Sequence, residues 1–323
     1  MLQDSFGRQF TYLRLSITDI CNFKCNYCLP DGNICLSPKP ELTLKQIETL
    51  ISAFAKLGTR KIRITGGEPA LRKDLVDIIS LCKQTPGIEH VALTTNAYKL
   101  KRDVAKYYEA GLDTLSVSAD SLDPRMFAAI TGKDKLNDIL DGVEKALDLG
   151  LPTVKLNSVL LKKFNVSELP RFLDFVKHRK VTWRFIELMQ TGTNKEYFDA
   201  NHVAGEDIQA HLLASGWQKI IKPVDAGPAR EFKHPDYAGK IGLIMPYSKD
   251  FCDSCNRLRV SSVGKVHLCL FAEQGYDIMP YLEKGDVNGT IEALQNMMSA
   301  KSVSHYLHEG KTGATTHFAM LGG

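Results

Sequence analysis

Apolar positions in the first two-thirds of the chain alternate between two periods. Strand-like runs are Phe10–Ile17, Lys61–Thr65, His90–Thr95, Thr114–Ser118, Thr153–Leu160 and Thr182–Leu188. Helical spacing fills the gaps at Thr43–Leu57, Lys73–Cys82, Leu100–Ala110, Leu136–Leu149 and Val166–Lys177. In the first of these, Leu44, Ile47, Ile51, Phe54 and Ala55 form one stripe. Gly58, Gly111 and Gly150 each follow a helical stretch and precede a strand, as helix-ending glycines do. The repeated strand–helix alternation predicts an α/β fold with a parallel sheet or barrel. Beyond Thr191 the rhythm breaks, and Pro223, Gly227, Pro228 and Pro235 mark a boundary near 220. The expected domains are 1–220 and 221–323. The second begins with a strand at Lys240–Met245 and ends in a helix near Ile291–Met298. The Gly- and Thr-rich tail from Lys311 to Gly323 reads as disordered.

Composition narrows the class. Hydrophobic residues at 44% and charged residues at 24% fit a globular chain, not a disordered or collagen-like one. The net charge of +4 is too small to suggest a nucleic-acid partner but allows a local anionic site. No apolar stretch reaches the roughly eighteen residues of a membrane span. Met1–Phe10 lacks the apolar run of a signal peptide. A cytoplasmic protein is expected.

The eight cysteines change the picture more. In such a chain disulfides are the weaker reading. Cys82 sits in a helical pattern as a buried filler, and Cys35 has no partner at ligand spacing. Cys21-x3-Cys25-x2-Cys28 offers three thiolates, enough for three corners of a four-iron cluster with the fourth iron open. Zinc is the alternative, but no fourth Cys or His lies nearby. Cys252-x2-Cys255-x13-Cys269 also offers three thiolates. There His267 keeps a Cys3His zinc site open beside a second cluster.

Polar side chains recur where packed parallel strands should be apolar. Lys61, Arg63 and Thr65 share a face; Thr94-Thr95-Asn96 ends the third strand; Ser116, Ser118 and Asp120 share a face at the fourth. Lys155 and Asn157 follow in the fifth strand and Arg184 in the sixth. Together they predict one pocket at the mouth of a barrel. Gly66-Gly67-Glu68-Pro69 follows the second strand and lets a ligand approach the backbone. Arg257 and Arg259 would point the same way from a strand and suit phosphates, and Arg14 adds a further charge.

These residues resemble a known family. Cys21-x3-Cys25-x2-Cys28 with Tyr27 resembles the cluster loop of radical S-adenosylmethionine (SAM) enzymes, and Gly66-Gly67-Glu68-Pro69 resembles their SAM-binding motif. Leu13-Arg14-Leu15-Ser16, Lys61 to Pro69, Phe251 to Arg259, Cys269-Leu270-Phe271 and the final Gly322-Gly323 are similar to the MoaA-type GTP 3′,8-cyclases of molybdenum cofactor biosynthesis. The resemblance runs from Tyr12 to Gly323.

It implies an incomplete (β/α)6 TIM-type barrel of the radical SAM type, with a smaller C-terminal α+β domain carrying a second iron–sulfur cluster. By the same resemblance, Cys21, Cys25 and Cys28 hold a [4Fe-4S] cluster that binds SAM, with Tyr27, Gly67, Ser118 and Met189 in contact with SAM. Cys252, Cys255 and Cys269 hold a second [4Fe-4S] cluster facing the guanine of GTP. Arg14, Arg63, Thr94, Lys155, Arg257 and Arg259 surround GTP. Arg14, Arg257, Arg259, Gly322 and Gly323 carry catalytic roles, the Gly-Gly tail entering the active site.

The implied chemistry is cleavage of SAM, hydrogen abstraction at C3′ of GTP and closure onto C8. Implied partners are GTP, SAM, a reductant such as flavodoxin or ferredoxin, and a downstream cyclic pyranopterin synthase; a homodimer is compatible. The chain departs from the family at Ile20, Leu29, Ala97 and Ala119, none of them a ligand. Two rivals stand beside this reading. One is another radical SAM enzyme with an auxiliary cluster, and the other is a zinc-stabilised binding module.

Overall fold

The computed structural model describes residues 1–32, 40–221, 227–313 and 318–321. Cys35 and the Gly322-Gly323 pair lie outside the described residues.

The strand–helix alternation is realised almost as the periodicity predicts. The chain runs β1 (Tyr12–Ser16), α1 (Leu44–Lys56), β2 (Lys61–Thr65), α2 (Leu75–Gln84), β3 (His90–Thr95), α3 (Leu100–Glu109) and β4 (Thr114–Ser118). It continues with α4 (Pro124–Thr131), α5 (Leu136–Asp148), β5 (Thr153–Leu160), α6 (Leu169–Lys177) and β6 (Thr182–Glu187). Local chemistry sets these boundaries. Thr43 caps α1 through a capping box with Gln46, worth about 1 kcal/mol, and Gly58 leaves the helix at φ 91°. The same helix buries Ile47, Leu50, Ile51 and Phe54 against the sheet and exposes its polar side.

Beyond Thr191 the structure corrects the sequence reading. The polar stretch contains two helices, α7 (Lys195–Asn201) and α8 (Gly205–Ala214). Then follow β7 (Gln218–Lys219), β8 (Arg230–Lys233), β9 (Lys240–Ile244), β10 (Arg257–Val260), β11 (Lys265–His267), β12 (Tyr276–Asp277), α9 (Met279–Lys284) and α10 (Val287–Met297). The short helix α4 also escaped the periodicity, because eight residues span barely two turns. Its start is nonetheless local chemistry: the Asp123 carboxylate accepts from the backbone of Arg125 and Met126, and Pro124 sits at the first helical position.

All strands join one sheet in the order β12-β11-β10-β1-β2-β3-β4-β5-β6-β9-β8-β7. From β10 through β9 every neighbouring pair is parallel. The six-stranded partial barrel is thus widened at both edges by parallel strands from the C-terminal part of the chain. Antiparallel ribbons finish each edge. Cys82 is fully buried in α2, where burial pushes its thiol up to about 12.

Candidate active site: two cysteine loops on a divided cavity

Strand register builds the floor of the site. Because side chains alternate across a strand, residues opposite one another in register share a face. Arg257, Tyr12 and Lys61 form one row across β10, β1 and β2. Arg259, Arg14 and Arg63 form the next. Thr94, Ser116 and Lys155 follow across β3, β4 and β5, and Ser118, Asn157 and Arg184 across β4, β5 and β6. The polar strand positions therefore meet on one face, at the mouth the sequence predicts.

Above this floor lie two connected chambers. The larger, of about 290 Å³, is lined by Cys252, Cys255 and Cys269 together with Arg14, Lys61, Arg63, Lys155, Arg184, Arg257 and Arg259. The smaller, of about 150 Å³, is lined by Cys21, Cys25, Cys28, Tyr27, Gly66, Gly67, Ser118 and Asp120. Thr94, Asn157, Ile186 and Met189 line both. The six cysteines of the two loops and Arg14, Tyr27, Arg63, Gly67, Thr94, Ser118, Lys155, Met189, Arg257 and Arg259 each line one chamber or the other, Ser116 of the predicted pocket lines neither, and the Gly322-Gly323 pair lies outside the described residues.

The first cysteine loop is held by backbone pairing with the glycine loop after β2. Gly67 N–H donates to the Thr18 carbonyl at 2.8 Å, and Glu68 N–H donates to Ile20 at 2.8 Å. Glu68, fully buried, then accepts from Thr95 Oγ1 and Asn96 N, both at 2.6 Å, tying the loop to the end of β3. Asn96 Nδ2 donates to Asn22 Oδ1 at 2.8 Å and approaches Cys21 Sγ at 3.8 Å. Tyr27 donates to Asp120 Oδ2 at 2.9 Å.

A Cβ on Gly67 would run into the backbone of Ile20 and Asp19. Gly67→Ala must therefore displace the loop that carries Cys21. The expected result is a fall of at least about tenfold in 5′-deoxyadenosine formation from SAM, since misplacements near 1 Å carry costs of that order; an unchanged rate would contradict the packing argument.

Ala97 stands at φ 63°, a left-handed conformation that suits glycine. Its geometry is kept by its own N–H, which donates to Thr95 Oγ1 at 2.9 Å, and by its carbonyl, which accepts from Leu100 N at 2.9 Å. Ala97→Gly should stabilise the fold by about 1 kcal/mol, read as a raised melting temperature with SAM cleavage retained.

The second cysteine loop is fixed from far away in sequence. Arg8 Nη1 donates to the Cys252 carbonyl at 3.1 Å and to the Val303 carbonyl at 2.7 Å, and Lys301 Nζ donates to the Leu268 carbonyl. Neither cation carried a local signal in the sequence. His267, the fourth ligand of the Cys3His zinc alternative, does not line the chamber with the three cysteines, whereas His305 does. Among the described residues no three of His, Cys, Asp and Glu converge on a single metal-ion position. Each trio instead borders a volume larger than one ion. A multi-iron cluster fits that arrangement, with three thiolate corners and one open. Burial pushes the Cys28 thiol up to about 12 and holds Cys25 well above its usual range. Such thiols become ligands when a binding metal centre displaces their proton to solvent.

The tail corrects the expectation of disorder. Phe318 and Leu321 are buried against Leu270, Phe271 and Leu307, with Cys28, Cys269 and Met189 beside them. Arg259 Nη1 donates to the Leu321 carbonyl at 3.0 Å. Composition alone hid these two apolar anchors at Phe318 and Leu321.

The electrostatics of the floor are unusual. Burial and the neighbouring cations bring Arg184 and Arg259 down to about 10 and Lys155 to about 8. Burial raises the Tyr12 hydroxyl, but Arg63, Arg14 and Lys61 outweigh it and bring it down to about 6. Lys61 and Arg184 join this floor as the polar strand pattern predicts, and Tyr12 belongs to it although the sequence-based pocket omitted it; its register position was the available signal. Concentrated, desolvated positive charge of this kind suits a polyphosphate.

Comparison with known proteins agrees with the geometry. Residues 15–176 match the radical SAM superfamily and residues 181–307 match the family described as Molybdenum Cofactor Synthesis C. The chain is 52% identical over 323 residues to the GTP 3′,8-cyclase of Shewanella denitrificans, covering 100% of this chain and 96% of that protein. It is 53% identical to the GTP 3′,8-cyclase of Vibrio parahaemolyticus, covering 99% and 97%. Among solved structures, Streptococcus suis SuiB bound to S-adenosylmethionine superposes with a TM-score of 0.63 over 90% of this chain and 69% of that one; at 13% identity this shows the fold alone. No helix among the described residues is long and apolar enough to cross a membrane. Two cysteine loops on one divided cavity, matched along essentially the whole length, place the chain in the radical SAM superfamily and, within it, in the GTP 3′,8-cyclase family.

Proposed function

We propose that this protein is a lyase-class radical SAM enzyme acting in the cytoplasm on GTP and SAM. The products are (8S)-3′,8-cyclo-7,8-dihydroguanosine 5′-triphosphate, 5′-deoxyadenosine and methionine, and the reaction opens molybdopterin biosynthesis. The observation that carries the reading is the wall common to both chambers. Thr94, Asn157, Ile186 and Met189 face each, so a ligand in one lies directly against a ligand in the other. A hydrogen transfer between SAM and GTP needs that contact.

Cys21, Cys25 and Cys28 would hold a first [4Fe-4S] cluster, and Cys252, Cys255 and Cys269 a second. When bound, the clusters supply the electron that cleaves SAM and an open iron for the guanine. Tyr27, Gly67, Ser118 and Met189 position SAM in the smaller chamber. Arg14, Arg63, Thr94, Lys155, Arg257 and Arg259 orient GTP in the larger one, the cations toward its triphosphate. The apolar seal of Leu270, Phe271, Phe318 and Leu321 excludes water from the place where the ligands meet. By the family resemblance, Gly322 and Gly323 are assigned to the active site with Arg14, Arg257 and Arg259. The partition near residue 220 separates the six-stranded barrel from the segment that carries β8 to β12. A reductant such as flavodoxin or ferredoxin delivers the electron, and a cyclic pyranopterin synthase consumes the product.

The test is an anaerobic turnover with GTP deuterated at C3′. Deuterium should appear in 5′-deoxyadenosine, and SAM cleavage without transfer of that label would overturn the assignment.

A further inference from the structure

We propose that Tyr12 is the internal counter-ion of the cation floor: as a phenolate it holds Arg63 in the substrate-free protein, and it takes up a proton when a triphosphate binds. The proposal rests on the reading of the larger chamber as the GTP site.

The argument starts from Arg63. Its side chain is buried in the middle of the floor, only 4% exposed. Its Nη1 donates to the hydroxyls of Thr94 at 2.9 Å and Ser116 at 2.8 Å, and its Nε donates to the Tyr12 hydroxyl. Among the described residues no carboxylate forms an ion pair with it. Among the described residues the only carboxylate lining this chamber is Glu231, engaged with Lys155 at 3.7 Å. A buried guanidinium without an anion is costly, so whichever contacting group can ionise is driven to do so. Thr and Ser hydroxyls do not ionise; a phenol does.

The surroundings of Tyr12 point the same way. It is itself 4% exposed. Arg14 lies two residues along its own strand, on the same face. Lys61 sits with Nζ 5.1 Å from the centre of its ring. Arg257 stands opposite on β10 with Arg259 one row further, and Arg184 and Lys155 close the floor from β6 and β5. Against these charges, among the described residues lining the chamber, stand Glu231, the phenol and the cysteines of the second loop, which lie on the Arg257 and Arg259 side. The lowering of the hydroxyl to about 6 agrees with the geometry.

A bound triphosphate reverses the balance. Its oxygens neutralise the same cations, and a phenolate beside phosphate is repelled. The phenol re-forms by taking a proton from solvent and can then donate to the ligand or to a neighbouring acceptor. Tyr12 thus acts through Arg63 as a positioning residue: it keeps the guanidinium oriented while no substrate is present and releases it by protonation, not by side-chain movement.

Calorimetric titration of the reconstituted holoenzyme with GTP, in buffers of different ionisation enthalpy near neutral pH, tests this. Lys155 and the γ-phosphate also exchange protons, so the informative quantity is the difference between the wild type and Tyr12→Phe. Wild type should take up about one proton more per GTP than the variant, and its GTP affinity should weaken as pH rises from near neutrality while the variant's weakens less. In the wild type alone, GTP should also bleach the ultraviolet difference band of tyrosinate, which keeps the test valid if Tyr12→Phe does not fold. Equal proton uptake in both proteins, or an unchanged tyrosinate band, would overturn the proposal. Absence of any GTP binding by the wild type would instead overturn the reading of the chamber.

Discussion

Cys25→Ser is expected to lose SAM cleavage and GTP conversion together. Cys25 is the middle thiol of the first trio and lines the smaller chamber. A serine hydroxyl is a far weaker ligand for iron than a thiolate. With one of three protein corners gone, the first cluster has two thiolates, and among the described residues no other Cys and no His lines this chamber to replace the lost one. The substitution is small and leaves the surrounding sheet intact, so the fold should persist. The measurement is 5′-deoxyadenosine formation with dithionite under anaerobic conditions, together with iron per chain. Iron should fall from about eight to about four, and SAM cleavage should fall to background, a loss of at least about a hundredfold. Retained cleavage would mean that the trio is not the reducing site.

Arg257→Ala should separate the two chambers. Arg257 lines the larger one, opposite Tyr12 in register, with its guanidinium 5.6 Å from the centre of the Phe251 ring. It does not line the smaller chamber. Removing a charged donor to phosphate costs about 1.5–3 kcal/mol, which is about tenfold to more than a hundredfold in affinity. GTP binding should weaken by that factor, while SAM cleavage in the absence of GTP stays near the wild-type rate. The check is GTP affinity beside uncoupled 5′-deoxyadenosine formation. Unchanged affinity for GTP would remove Arg257 from the triphosphate site.

Much of this was legible in the chain because each signal was local. The six strands are short alternating or apolar runs, and four of them begin and end where the pattern predicts: Lys61–Thr65, His90–Thr95, Thr114–Ser118 and Thr153–Leu160. Polar residues on those strands pointed to a cavity because a packed parallel sheet has no other use for them. The same logic reached Arg63, Thr94, Lys155, Arg257 and Arg259, all of which line the larger chamber.

The rest depended on distance. That β9 pairs with β6 and β10 with β1 follows from tertiary placement, which no periodicity encodes. Arg8 reaches Cys252 across 244 positions. Tyr12 carries no local signal, and only register sets it beside Lys61 and Arg257. The tail misled for a simpler reason. Its Gly and Thr content outweighed Phe318 and Leu321, yet two buried apolar side chains suffice to pin a short segment.

The most direct test of the account is the metal content of the anaerobically purified and reconstituted protein. Two incomplete thiolate trios, each bordering its own chamber of one cavity, predict about eight irons and a matching amount of acid-labile sulfide per chain, with no stoichiometric zinc. About four irons with zinc would leave the first chamber as described and remove the second cluster from the larger one. Zinc without iron would contradict the assignment of both.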